Sequence, residues 1–276
     1  MRSTAEDILR NAKDLPAPPK VMTDLLALFA RPDVDARRIA DAISGDMALS
    51  LRTLKVANSP FYGLSKRITT VNEAIAILGF RSVRLLVLAV SAAGLMHLPP
   101  GLRTSMGGLL RHSTRCALLA RQLAERTGQS SEEAFTAGLL HDVGKMVLAQ
   151  ATPLAGADVP APPQWIDRSD LPTEREAFGT DHAELGLILL ERWRFPDALC
   201  ESTGHHHESP EALSPLGALV ALADGLSHAN LEEAVPEPLA PWIARAMGAS
   251  PLPEAGELAA TIAEADALAH VLGPDA

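Results

Sequence analysis

The sequence predicts an all-α protein, and three observations carry that prediction. No segment shows the period-two alternation of a half-buried strand. The composition leans on Ala, Leu, Glu and Arg, which favour helices, and only 4% of residues are aromatic against 47% hydrophobic, so the core must be aliphatic. Successive apolar stretches at helical spacing are bracketed by residues that start and stop helices.

Taken in order, the first stripe is Val21, Met22, Leu25, Leu26, Leu28 and Phe29, placed after the rigid LPAPP. Asp35 can cap a short helix through Ile43, and Asp46 can cap another that stops at Asn58-Ser59-Pro60. Thr70 and Glu73 form a T-x-x-E capping box ahead of AIAIL, and Gly79 ends that helix. Ser82 opens RLLVLAVSAAGLM, apolar nearly all round and therefore expected to be central. A long helix is expected from about Thr104 to Thr127, stopped by Gly128, and another from Ser131 that carries the pair His141-Asp142. Thr180 is the expected cap of DHAELGLILLERW, Pro196 opens the next helix, and Pro215 opens LGALVALADGLSHA. Two more helices are expected from about Pro241 onward. The Pro-rich stretches Ala151–Gln164 and Val235–Pro241 read as loops or linkers; the first is either a lid or docking segment or a tolerated surface insertion.

With 276 residues the chain can form one large domain or two smaller lobes. Its net charge of −10 argues against a nucleic-acid partner and against anionic lipid. The apolar run Leu85–Ala93 is far shorter than the roughly 20 residues of a membrane span, so no membrane association is expected. Cys116 and Cys200 sit in apolar helical patterns and read as free thiols of a reducing compartment, and MRSTAEDILRNAKDLP has no apolar leader region. A cytoplasmic protein is the resulting expectation.

Chemistry is concentrated in the nine histidines and a few aspartates. His112 shares a helical face with Leu109, Cys116 and Leu119, and His182 one with Leu185 and Leu189. Asp224 lies within LVALADGL, almost devoid of other charge. Three polar groups on three separate helices thus face inward, which is expensive unless something pairs with them. A metal ion would satisfy all three at once. Imidazole and carboxylate without thiolate suit one or two divalent ions of Fe, Mn, Ni or Zn. Asp142 has two oxygens and could bridge a pair of ions, the usual arrangement for activating water in phosphoester hydrolysis. Lys145 shares the face of His141 and Asp142; it reads either as a salt-bridge partner of Asp142 or as a contact to a phosphate. Singly, each piece has a plainer reading. His112 could be a hydrogen-bonded core histidine, His205, His206 and His207 a dipole-favoured helix end, and Asp224 a helix-end residue. His97, His228 and His270 read as surface or structural.

The order of these pieces adds more than any one of them. R-H-S at Arg111–Ser113, then GLLHDVGK, DHAELG, WRFP, HHHE and ALADGL resembles the HD superfamily of metal-dependent phosphohydrolases. With LPAPPKVMTDLLAL and the long stretch ISGDMALSLRTLKVANSPFYGLSKRITTVNEAIAILGFRSVRLLVL before them, the chain more closely resembles the HDOD family, over roughly Leu15 to Ala229. The resemblance implies a two-lobed helical fold, an N-terminal HDOD lobe over 1–98 and an HD-like helical bundle over 99–234; the two helices expected in the tail make a helical extension over 235–276. It implies metal ligands at His112, His141, Asp142 and Asp224 for a first ion. By similarity to HD-GYP phosphodiesterases it implies His182, His206 and His207 for a second, with His205 able to replace one of the pair by a register shift. Asp142 and Lys145 are the implied catalytic residues. The R-x-D-G-x-G-Y-P element of those phosphodiesterases is replaced here by SPEALSPLG, which removes the best reason to expect cyclic di-GMP hydrolysis. The acidic ligand of a third metal would fall on Gly108.

Functionally, the resemblance implies a bacterial signal-transduction module that binds a signalling protein partner or a nucleotide. The alternative is a metal-dependent phosphohydrolase acting on a nucleotide or cyclic nucleotide. A purely structural metal site would look the same in sequence. A homodimer is a further expectation, as for many two-lobed helical proteins with an exposed apolar face.

Overall fold

The computed structural model describes residues 36–45, 47–58, 66–79, 103–151, 171–193, 195–229 and 235–272, together with Ala5, Ile8, Leu28, Val83 and Val87. Among them there is no strand. The all-α expectation therefore holds. All of the first apolar stripe but Leu28, most of the run opened by Ser82 and nearly all of the Ala151–Gln164 stretch lie outside these residues.

The described residues of the N-terminal part include α1 (Ala36–Ser44), α2 (Met47–Ala57) and α3 (Val71–Leu78). Thr70 caps α3, its Oγ1 accepting from Glu73 N at 3.1 Å. The return half of the capping box lands one residue early. Glu73 Oε2 accepts from Thr69 N at 2.9 Å and from its hydroxyl at 3.0 Å. Gly79, at φ 83°, ends the helix where a side chain would be strained. Asn58 fastens the end of α2 to the chain before α3: Nδ2 donates to Leu54 O and Ile68 O, and Oδ1 accepts from Ile68 N.

The larger bundle contains α4 (Arg103–Thr127), α5 (Ser131–Leu140), α6 (Val143–Ala151), α7 (Leu171–Phe178), α8 (His182–Arg192), α9 (Asp197–His205) and α10 (Pro215–Ser227). Gly128 at φ 72° stops α4, as expected. Ser130 caps α5, and Ser214 caps α10 with Pro215 in the first turn, where its missing N–H is harmless. Two sequence expectations need correction. Asp181, not Thr180, caps α8: Oδ1 accepts from Glu184 N at 2.9 Å, while the Thr180 hydroxyl donates to the Glu184 carboxylate. The stretch from Val235 to Pro241 is not a plain linker. It forms a 3-10 turn (Glu237–Leu239) running into α11 (Ala240–Met247), because Pro is tolerated in a first helical turn. Leu239 then packs onto α10 at Gly225, where a Cβ would come within 2.5 Å of its Cδ2.

Among the described residues, two buried apolar clusters result. The larger joins Leu109, Leu119, Phe135, Leu140, Val147, Leu185, Leu219 and Leu222. The smaller joins Ile39, Ile43, Leu49, Ile68, Val71 and Val87. The terminal helix α12 (Ala255–Leu272) belongs to both: Leu258 and Ala265 are buried in the first and Leu268 in the second. No described helix is long and apolar enough to cross a membrane.

Candidate metal centre

His112, His141, Asp142, Asp224, His182, His206 and His207 gather in one cluster within the larger bundle. His112 projects from α4, His141 caps the C-terminus of α5, and Asp142 occupies the turn into α6. The pair thus sits at the α5–α6 junction rather than inside one helix. His182 is the first residue of α8, His206 caps the end of α9 with His207 beyond it, and Asp224 lies near the end of α10. Two close helix contacts bring these elements together. A Cβ on Gly138 would come within 2.8 Å of Cys116 O on α4, and one on Gly144 would overlap the His182 carbonyl. Both glycines belong to GLLHDVGK, and only Gly permits backbones this near.

The contacting atoms divide into two groups about Asp142. In the first, His112 Nε2 lies 3.1 Å from His141 Nε2, 3.3 Å from Asp142 Oδ2 and 3.2 Å from Asp224 Oδ1, and His141 Nε2 is 3.4 Å from Asp142 Oδ2. In the second, His182 Nε2 lies 3.0 Å from His207 Nε2 and 3.3 Å from Asp142 Oδ1, with His206 Nε2 3.9 Å from that same oxygen. Ligands held about 2.1 Å from one ion sit roughly 3.0–3.4 Å from one another, so these separations suit two adjacent ions. Asp142 faces one group with each oxygen.

The far side of each ring fixes its orientation. His141 Nδ1 donates to Gly138 O and His206 Nδ1 to Thr203 O, both at 2.7 Å. Each uses a helix-end carbonyl that would otherwise lack a partner. His182 Nδ1 donates to Glu174 Oε2 at 2.7 Å. His112 Nδ1 lies 3.2 Å from the Ser227 hydroxyl, which itself donates to Asp224 O. A carbonyl or carboxylate only accepts, so the protons of His141, His182 and His206 sit on Nδ1 and leave Nε2 lone pairs facing the cleft.

Those lone pairs are a problem without a cation. Asp142 Oδ1 and His206 Nε2 are buried with no hydrogen-bond partner. Such atoms are costly, and a divalent ion between them is what the donor set fits. The electrostatics agree. Burial pushes His141 down to about 4 and His206 well below the usual imidazole range. His112 is the exception: burial opposes its charge, but hydrogen bonds to Asp142 and Asp224 win and push it up to about 9. Burial would raise both carboxyls. For Asp142, Lys145 and the surrounding imidazoles hold it well below the carboxylate range instead; for Asp224, His112 and His228 do so. A proton on His112 thus occupies the position a cation would take.

Lys145 is buried, and its Nζ donates to Asp142 Oδ2 at 2.7 Å, so its described contact is the salt bridge. His205 turns away and pairs with Glu208 at 2.8 Å, leaving His206 and His207 as the inward pair without a register shift. Cys116 and Cys200 are free and buried, consistent with the thiol expectation.

Sequence reasoning misses three residues. Glu174 is 1% exposed and accepts from both His182 N and Nδ1 at 2.7 Å; only its place eight residues before His182 hints at this. Ser227 backs His112, three positions after Asp224 on α10. His228 reads from sequence as surface or structural. Its side chain is indeed exposed, but its ring stacks on His112 at 4.6 Å and its Nε2 lies 3.4 Å from Asp224 Oδ1, at the rim of the cleft.

Comparison with known proteins decides the family. The HDOD domain pattern matches residues 15–209. The chain belongs to the HDOD domain family. An HDOD domain protein of unknown function from Geobacter sulfurreducens superposes with a TM-score of 0.76 at 25% identity, covering 98% of this chain and 97% of that one. A candidate phosphohydrolase from Shewanella amazonensis superposes with a TM-score of 0.73 at 25% identity over 98% and 99% of the two chains. In sequence, an uncharacterised protein of Treponema pallidum is 29% identical over 80% of this chain and 43% of its own length. Ribonuclease Y of Thermus thermophilus is 32% identical over 51% of this chain and 22% of its own. The HDOD chain therefore spans less than half the length of these curated relatives.

Proposed function

We propose that the larger bundle holds two divalent ions and hydrolyses a phosphoester, with a nucleotide or cyclic nucleotide as substrate class. The observation that carries this reading is Asp142, whose two oxygens each face a separate set of imidazoles while Oδ1 lacks a hydrogen-bond partner. His112, His141 and Asp224 would complete the first set; His182, His206 and His207 would complete the second. When bound, the ions would supply Lewis acidity toward phosphoryl oxygen and an activated water. Asp142 and Asp224 balance their charge, and Lys145 holds Asp142 oriented from behind. The buried floor excludes water, whereas His207 and His228 line the open side where a phosphate group would enter. The likeness to ribonuclease Y supports phosphodiester chemistry. The net charge of −10 argues for a small nucleotide rather than a long nucleic acid.

A second reading has its own support. The family match begins at residue 15, well before the cleft, and the smaller N-terminal core is separate from the ligands. A signal-transduction role, with the N-terminal lobe binding a signalling partner and the metal centre acting as a sensor or brace, accounts for that half. Elemental analysis of purified protein, titration with Mn²⁺, Fe²⁺ or Zn²⁺, and turnover of bis(p-nitrophenyl) phosphate separate the readings. Two equivalents with turnover support the hydrolase. Two equivalents without turnover support the regulatory module. No uptake of any of these ions rejects the metal centre.

A further inference from the structure

The two ligand sets are unequal in charge. The first has two carboxylates, Asp142 and Asp224, facing His112 and His141. The second has three imidazoles, His182, His206 and His207, and only the shared Asp142. Lys145 further offsets the Asp142 charge at 2.7 Å. A dication among three neutral rings in a buried floor is poorly compensated.

Glu174 stands behind that poorer set. It is 1% exposed, on α7, and reaches the N-terminus of α8. Oε2 accepts from His182 N and from His182 Nδ1, both at 2.7 Å. Oε1 is buried with no hydrogen-bond partner. A purely structural cap at this place does not need a charge, since an amide oxygen accepts the same two N–H groups. The charge already acts on Lys145 and on the N-terminus of α8, and a cation beyond the ring would feel it as well.

We infer that Glu174 is a positioning residue that, through His182, supplies the missing negative charge of the second metal position. Its hydrogen bond orients the ring so that Nε2 faces Asp142 Oδ1, and its charge lies behind that ring on the side away from the second metal position. Affinity of the second ion therefore depends on a residue that never touches it. The inference deepens the proposed metal centre and rests on it.

The test is a calorimetric titration of the full chain with Mn²⁺, first as wild type and then as Glu174→Gln. The amide keeps shape and both accepted hydrogen bonds, so circular dichroism of the metal-free variant is expected to match wild type. The first equivalent should bind as in wild type and the second at least about tenfold more weakly, in the range seen when an outer partner of a ligand is lost. A double-mutant cycle with His182→Ala supplies a readout that a structural role would not move: Glu174→Gln should cost the second ion nothing further once His182 is absent. Two equivalents bound by Glu174→Gln with unchanged affinities, or an undiminished effect in the His182→Ala background, overturn the inference alone. Wild-type protein that takes up no ion overturns the metal centre and this inference together.

Discussion

Gly144 rests its α-carbon against the backbone carbonyl of His182, so that α6 and the start of α8 touch without a side chain between them. This contact brings the second set of imidazoles within reach of Asp142. In Gly144→Ala the new methyl would overlap backbone, and no rotamer change relieves that. Alanine raises helix propensity by roughly 1 kcal/mol, but overpacking against backbone costs about 1–3 kcal/mol and should prevail. Urea denaturation of the variant should show lower stability, and metal titration should show the second equivalent weakened. Unchanged stability would mean that α6 and α8 separate freely.

Asp142 joins both ligand groups and also pairs with Lys145. Asp142→Asn removes the charge from all three. Both ions should be lost, since no other carboxylate faces both sets among the described residues. The metal-free variant should itself be less stable, because breaking one side of a buried pair typically costs about 3–5 kcal/mol. Lys145 also feels Asp224 and Glu174, which places the expected loss near the lower end. Denaturation in chelator measures the second effect, and titration with Mn²⁺ the first. If Asp142→Asn still binds two ions, the residue does not bridge them.

Much of this is legible in the chain. His112, His182 and Asp224 read as inward-facing because each shares a helical face or stretch with apolar residues, and all three converge. Gly79 and Gly128 end their helices as their type suggests. The outer layer is hidden. Glu174 precedes His182 by a turn between α7 and α8 whose path no periodicity specifies. His228 looks like a surface residue because its position on the rim depends on how α10 meets α4. Asp181 rather than Thr180 caps α8 because both are good caps, and which one fits depends on where α7 delivers the chain.

Asp266 and Leu268 make the terminal helix α12 a link between the two cores, although it lies beyond the family match. Arg115, one turn after His112 on α4, donates from Nε and Nη2 to Asp266, each at 2.6 Å. Leu268→Ala should destabilise the smaller cluster by about 2–5 kcal/mol. Asp266→Ala should cost about 1 kcal/mol, since that pair is partly exposed. Neither residue touches the cleft, so metal stoichiometry should be unchanged in both. Loss of an ion in Leu268→Ala, read by elemental analysis, would instead show that the smaller core supports the metal centre.

Stability of the protein in chelator should peak near pH 6.5, the value for an unperturbed imidazole. His112, raised to about 9 in the folded state, gains stability that is complete below pH 6.5 and is lost as pH climbs toward 9. His141, lowered to about 4, works on the other side. Between pH 6.5 and 4 the unfolded chain takes up a proton there that the folded one refuses, so stability falls as pH falls. His206 and His207 are also lowered, chiefly by burial, and steepen the acid limb. Asp142 and Asp224, held low, add further loss at still lower pH. Thermal unfolding across pH 4–10 should therefore trace a maximum with a steeper acid side. In His112→Gln the decline between pH 6.5 and 9 should flatten, while the acid limb remains and the buried thiols Cys116 and Cys200 still cost stability above about pH 9. A wild-type profile that keeps rising from pH 6.5 to 9 would show that His112 does not carry that proton.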